Sequence, residues 1–230
     1  MISLTPDECR VLGVLIEKEL TTPEQYPLTL NGIINGSSQK NNREPVVQFD
    51  EGRAYEAAEG LRGKGLVVRV DTVGSRVPKF RQEAVQKLGL TRYELVLLAE
   101  LLLRGPQTVG ELRGRASRMH HLDSMEIVEE MLKKMMEREE ALVKELPPSP
   151  GSRAERFMQL LCPEAHPVEA VVGVVSEAAV VGTSGRSMAE RIGQLEAEVA
   201  RLKEVVKKLS VSLGEGDPFA AGGGGEAGKA

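Results

Sequence analysis

The sequence predicts a mainly α chain with small β-hairpins, an α+β class. Three observations predict it. From Leu28 to Arg81 the chain reads helix, polar elbow, helix, hairpin. After Leu90 the same order returns with the same punctuation. From Met188 to Leu209 apolar residues recur in heptads. Together these describe tandem winged helix-turn-helix domains followed by a C-terminal coiled-coil helix.

In the first copy, Thr5-Pro6-Asp7-Glu8 is a capping box with proline at the first helical position. Val11, Leu12, Leu15 and Ile16 then give one apolar stripe. Thr21 to Pro27 holds two prolines and reads as a loop. A helix is expected from Leu28 to Asn35, then an elbow from Ser37 to Pro45. Asp50 can cap the next helix, because its carboxylate can accept from free N–H groups of the first turn. That helix carries Ala54, Tyr55, Ala58 and Leu61 at helical spacing and ends at Gly63 and Gly65. Leu66 to Val70 is a β-branched run, Gly74-Ser75 a turn, and a second strand ends near Phe80.

Gln82 to Leu90 reads as a connector with some helical character. The second copy opens on another capping box, Thr91-Arg92-Tyr93-Glu94, followed by Leu95, Leu98, Ala99 and Leu102. Gly105-Pro106 stops this helix, and Val109 to Ala116 makes a short one. Asp123-Ser124 caps a long helix through Ile127, Val128, Met131, Leu132 and Met135. Leu142-Val143 starts a strand where Leu66-Val67 did, Pro147 to Gly151 is a wing tip, and Arg156 to Gln159 echoes Lys79 to Gln82. Thr5 and Thr91 lie 86 residues apart, whereas Asp50 and Asp123 lie 73 apart. The first copy therefore carries extra residues in its proline loop and elbow.

The expected divisions are residues 1–85 and 86–163 for the two winged helices, 164–212 for a linker and coil, and 213–230 for a disordered Gly/Ala-rich tail. In the coil, Ile192, Val199 and Val206 fall at a, and Met188, Leu195, Leu202 and Leu209 at d. β-Branched a with leucine at d favours a parallel two-stranded coil, hence a homodimer; the competing expectation is a single helix folded back on the body. Arg191 and Glu198 at g then face Glu196 and Lys203 at e of the partner.

Composition bounds the rest. Hydrophobic residues make up 41% of 230, but aromatics only 3%, so the core is built from Leu, Val and Met. Cys9 and Cys162 form no metal or redox spacing, and a reduced cytoplasmic chain is expected. The start lacks the basic and apolar regions of a signal peptide. Val168 to Val181, interrupted by Glu169 and Glu177, is too short and charged to cross a bilayer, so no membrane partner is expected.

Ser37-Ser38-Gln39-Lys40-Asn41-Asn42-Arg43-Glu44-Pro45-Val46 resembles the Asn-Gln-Lys-Ser-Asn-Arg-Asp-Pro-Val signature of the YceH-like family of bacterial proteins. Gly110-Glu111-Leu112-Arg113, Arg118-Met119-His120 and Asp123-Ser124 are similar to its second signature. The departures are Ser38 for Asn, Asn41 for Ser and Glu44 for Asp. The resemblance covers about residues 3 to 163 and implies two winged helices in tandem, without assigning an activity.

Two functions follow as expectations: a dimeric DNA-binding protein of the transcriptional-regulator kind, or a module that docks a partner protein. The third helix of each copy would enter the major groove, yet these helices carry Glu51, Glu56, Glu59, Glu126, Glu129 and Glu130. Phosphate contacts are therefore expected from the basic residues of the elbows and first wing, Lys40 and Arg43, Arg69, Arg76, Lys79 and Arg81, and Arg113, Arg115 and Arg118, while Gln39, Asn41 and Asn42 either read bases or, the more frequent role for such residues, cap helix ends and satisfy the elbow backbone. Lys40 and Arg43 are expected to be exposed. His120, His121 and His166 show no zinc spacing, no glycine-rich phosphate loop is present, and no nucleophile–base group emerges. No cofactor, no metal and no enzymatic activity are expected.

Overall fold

Hydroxyl and carboxylate caps set where the helices begin. The computed structural model describes residues 2–71, 77–149 and 151–166, with Arg201, Lys203, Val206, Lys207 and Ser210. Met1–Ala170 forms one compact unit and Val171–Ala230 another. In the first, α1 (Pro6–Thr21) starts at the Thr5–Glu8 capping box and α5 (Arg92–Arg104) at the Thr91–Glu94 box. Between them lie β1 (Leu28–Thr29), α2 (Leu30–Ser37), α3 (Glu51–Gly63), β2 (Val67–Val70), β3 (Lys79–Gln82) and α4 (Ala84–Leu88). After α5 come α6 (Val109–Ala116), α7 (Met125–Met136), β4 (Val143–Leu146) and β5 (Arg156–Gln159).

The repeat is visible in side-chain detail. The hairpins share one register: Val67 pairs with Gln82 and Val143 with Gln159, and Arg69 opposes Phe80 as Glu145 opposes Phe157. Both terminal glutamines are buried, and each turns back to accept a backbone N–H, Gln82 from Ala84 and Gln159 from Cys162, at 2.7 Å. A buried amide left without such a partner would cost stability, so this clasp holds the exit of each hairpin. Each capping-box glutamate also meets a base near the end of its third helix: Glu8 meets Lys64, and Glu94 meets Arg138 at 3.0 Å.

Local expectations differ from the structure at five points. Leu28 and Thr29 form a strand rather than the start of a helix, because Leu28 pairs with Phe80 and the Thr29 hydroxyl caps α2 by accepting from Gly32. Ser124, not Asp123, caps α7. Thr108 and Glu111 form a third capping box, at the start of α6. Tyr55 is 50% exposed, and Ala57 takes the buried place on α3. Arg43 is buried rather than exposed. The Gly74-Ser75 turn lies outside the described residues, as do the tail, residues 167–200 of the linker and coil, and all of the a and d heptad positions except Val206.

Both repeats contribute to one continuous buried cluster, and α1 packs directly on α5. Gly13 sets the approach: a Cβ there would lie 2.8 Å from Leu103 Cγ and 3.3 Å from Leu102 Cβ. Alanine favours a helix over glycine by up to about 1 kcal/mol, but overpacking a filled core costs about 1–3 kcal/mol. Gly13→Ala should therefore lower the melting temperature on balance. Because the core is shared, far-UV circular dichroism of a chain ending at Ala170 should still show a single transition for both repeats. Two separated transitions would contradict a shared core.

Candidate functional site

A carboxylate on the apolar face of a helix needs partners, and Glu17 has them. Its side chain is 2% exposed near the end of α1. Arg43 grips both oxygens, with Nη1 and Nη2 each at 2.9 Å. The other donors of Arg43 reach Gly36 O (3.0 Å), Asn42 O (2.8 Å) and Gln39 Oε1 (2.9 Å). A guanidinium has five N–H groups, and these five contacts use all of them. Burial alone would raise the Glu17 pKa, but the Arg43 hydrogen bonds and charge outweigh it and pull the group down to about 2.

Arg118 carries the cluster across to the second repeat. Its Nη2 lies 2.8 Å from Glu17 and 3.0 Å from Glu100, which is fully buried in α5. Arg104 lies 3.2 Å from Glu100 and donates to Asn42 Oδ1 at 2.8 Å. Asn42 sits at φ +60°, a left-handed conformation that asparagine tolerates better than most residues. The first elbow is thus fastened to α1 through Arg43 and to α5 through Asn42.

The residues expected to meet nucleic acid therefore divide. Arg43, Gln39, Asn42 and Arg118 build this internal network. Arg113 donates to the carbonyls of Leu122 and Asp123, bracing the turn before α7. Arg115 donates to Gln107 at 2.8 Å and pairs with Glu111 at 3.1 Å. In the β2–β3 hairpin and its flanks, Arg69 pairs with Asp71 and Arg81 with Glu83, while Lys79 is half-buried. Arg76 lies outside the described residues. Lys40 and Asn41 are exposed at the mouth of a polar cleft of about 680 Å³, also lined by Asn42, Arg43, Glu44, Arg104 and Arg115. Of the predicted dimer positions, Ile192, Leu195, Val199, Leu202 and Leu209 lie outside the described residues; Val206 is helical and 43% exposed.

On the third helices the cations are already matched. Arg53 pairs with Asp7 and Arg62 with Glu59 on α3; Lys134 pairs with Glu130 and Lys133 with Glu137 on α7. Glu51, Glu56, Glu126 and Glu129 remain on the exposed faces. Among the described residues no group of three His, Cys, Asp or Glu side chains is placed to hold a metal, and no helix is long and apolar enough to cross a membrane.

Linear reading missed Glu17, Glu100 and Arg104. One signal was present: Glu100 interrupts the apolar run from Leu95 to Leu103, and a carboxylate there must find a buried cation. It also missed that Cys9 and Cys162 meet. Both are buried, and a hydrogen bond to Cys162, with burial next, raises the Cys9 thiol well above its usual range.

Arg43→Ala leaves Glu17 buried with one guanidinium fewer, a change that costs about 3–5 kcal/mol when it breaks a buried pair. Urea denaturation should show that loss at pH 7. Because folding holds Glu17 below its ordinary 4.5, its contribution is complete above that pH and is lost as pH falls toward 2. Arg43→Ala should flatten this acid limb. His166 adds a second limb. Burial pushes it down to about 4, so between pH 6.5 and 4 the unfolded chain takes up a proton that the folded chain refuses. Stability falls with pH across that window, and His166→Gln should remove the fall.

The family described as "Protein of unknown function, DUF480" matches residues 4–152. A UPF0502 protein of Koribacter versatilis is 46% identical over 200 residues, spanning 86% of this chain and 90% of that protein. One from Geotalea daltonii is 47% identical over 197 residues, spanning 86% and 88%. One from Enterobacter sp. is 41% identical over 217 residues, spanning 92% and 98%. With a family match over more than half its length and relatives above 40% identity along nearly all of theirs, the chain belongs to the DUF480 family of UPF0502 proteins.

Proposed function

We propose that the chain is a docking module: two winged helices, held as one body, present acidic third helices to a basic surface on a partner protein. The observation that carries this reading is the charge state of α3 and α7. Every lysine and arginine on them, and Lys64 at the cap of α3, is paired to a carboxylate of α1, of its own helix or, for Lys133, of the cap residue Glu137. The surplus is negative, from Glu51, Glu56, Glu126 and Glu129. Such a face repels phosphates and suits cations. Tyr55 and Met125, half exposed on the same helices, offer apolar anchors of the kind found at the centre of protein interfaces. The heptads from Met188 to Leu209 support a parallel homodimer, which would double the number of docking faces.

The helix–elbow–helix–hairpin order favours a second reading, since DNA is the usual client of that unit. In that reading the chain is a transcriptional regulator. Its contacts come from Lys40 and the first wing, because Arg43 has no N–H left to offer.

A photocrosslinking residue at Glu56 or Glu129, in bacteria expressing the chain, separates the readings. Discrete, nuclease-resistant adducts that disappear when the remaining third-helix glutamates are changed to lysine are expected for docking. Nuclease-sensitive adducts, together with a log affinity versus log salt slope that Lys40→Ala flattens by about 0.9, would transfer the function to DNA. For the coil, Leu195→Lys with Leu202→Lys should convert a dimer to a monomer by light scattering.

A further inference from the structure

The cleft between the first elbow and α5–α6 has features that the docking reading does not use. Arg104 and Arg115 face it as braced groups. Asn42 holds Nη2 of Arg104, whose Nε lies 3.2 Å from the Glu100 carboxylate without a hydrogen bond to it, and Gln107 and Glu111 hold Nη1 and Nη2 of Arg115. Arg104 Nη1 and Arg115 Nε are not used by these contacts. Lys40 stands exposed at the mouth and has no ion-pair partner among the described residues. The guanidiniums therefore carry orientation already fixed by the fold, so a ligand would not have to supply that ordering.

Charge and shape select the ligand. Around the elbow, Lys18, Lys40, Arg43, Arg104, Arg115 and Arg118 outnumber the carboxylates Glu17, Glu44, Glu100 and Glu111, in a chain of net charge −4. The local surplus is positive where the whole is negative. At about 680 Å³ the space falls in the size range of small-molecule sites. Its lining is made of charged and amide residues, so an apolar ligand has nothing to bury against. Two guanidiniums and an ammonium are the donor set that recognises phosphate oxygens. We propose that this cleft binds a small molecule bearing two or more phosphate groups, with Arg104, Arg115 and Lys40 contacting the phosphates. The proposal stands independently of the partner that the third helices meet.

Calorimetric titration of the full chain with ATP, ADP, inorganic pyrophosphate and adenosine tests it. Saturable binding of ATP, ADP or pyrophosphate, and none of adenosine, is expected. Equal affinity for pyrophosphate and ATP would assign recognition to the phosphates alone; tighter ATP binding would add a base or sugar contact. Lys40→Ala with Arg115→Ala should weaken binding at least ~10-fold, as expected for the loss of charge-assisted hydrogen bonds. The melting temperature should stay within a few degrees of the parent, since Lys40 is exposed and Arg115 is 39% exposed. Should Arg115→Ala unfold the chain, Lys40→Glu gives the same reading from a side chain outside the internal network. Absence of heat at millimolar ligand, binding unchanged in these variants, or competition by a DNA duplex but by no nucleotide, would overturn the proposal.

Discussion

Glu17 held between Arg43 and Arg118 is the contact on which the rest of the first unit depends. A carboxylate that deep in a helical core is tolerated only when its charge is matched and its lone pairs are filled. Arg43 does both from the elbow, and Arg118 does so from the second repeat. The elbow's path is therefore dictated from inside. Asn42 takes a left-handed backbone so that Arg43 can turn inward while its own side-chain oxygen reaches Arg104. What looks from its composition like a solvated polar loop is a strap across two helices.

That strap changes the meaning of the chain's basic residues. With 30 lysines and arginines against 34 aspartates and glutamates, only a local basic face could serve nucleic acid. Followed donor by donor, most of these groups are spent on carboxylates and carbonyls of the same chain. Among the described residues, Glu51, Glu56, Glu126 and Glu129 lie exposed along the third helices, and Lys40 lies exposed at the cleft beside the elbow. Which charges folding leaves unmatched is decided contact by contact, not by totals.

Much of the fold was legible in the sequence because its signals are local. Thr5 with Glu8 and Thr91 with Glu94 announce helix starts by chemistry confined to four residues. The Leu-Val starts and Phe-Gln ends of the hairpins predicted a repeat that the shared register displays. Less was legible where distant residues decide. Leu28 joins a sheet because of Phe80, 52 residues away. Tyr55 fits the helical period but lies on the open side of α3, where the narrow core accepts Ala57 instead. The fate of Arg43 depended on Glu17, whose burial no periodicity stated. The site residues were named in the right segment, the first elbow. Their roles were not legible, because an arginine's role is set by which acceptors come within 3 Å of it.

The packing of α1 on α5 has a consequence of another kind. These are helices of corresponding position in the two repeats, and contact between like elements is what joins the partners of a symmetric pair. A single chain that carries both halves no longer has to keep them alike. One half has the longer elbow, whose Asn42 accepts from Arg104 of the other, while the other has a short elbow and supplies Arg118 to Glu17. Covalent linkage thus converts a face that symmetry would force to be self-complementary into one where each side can specialise. The charged seam of Glu17, Arg118, Glu100 and Arg104 is where the two halves differ in what they supply.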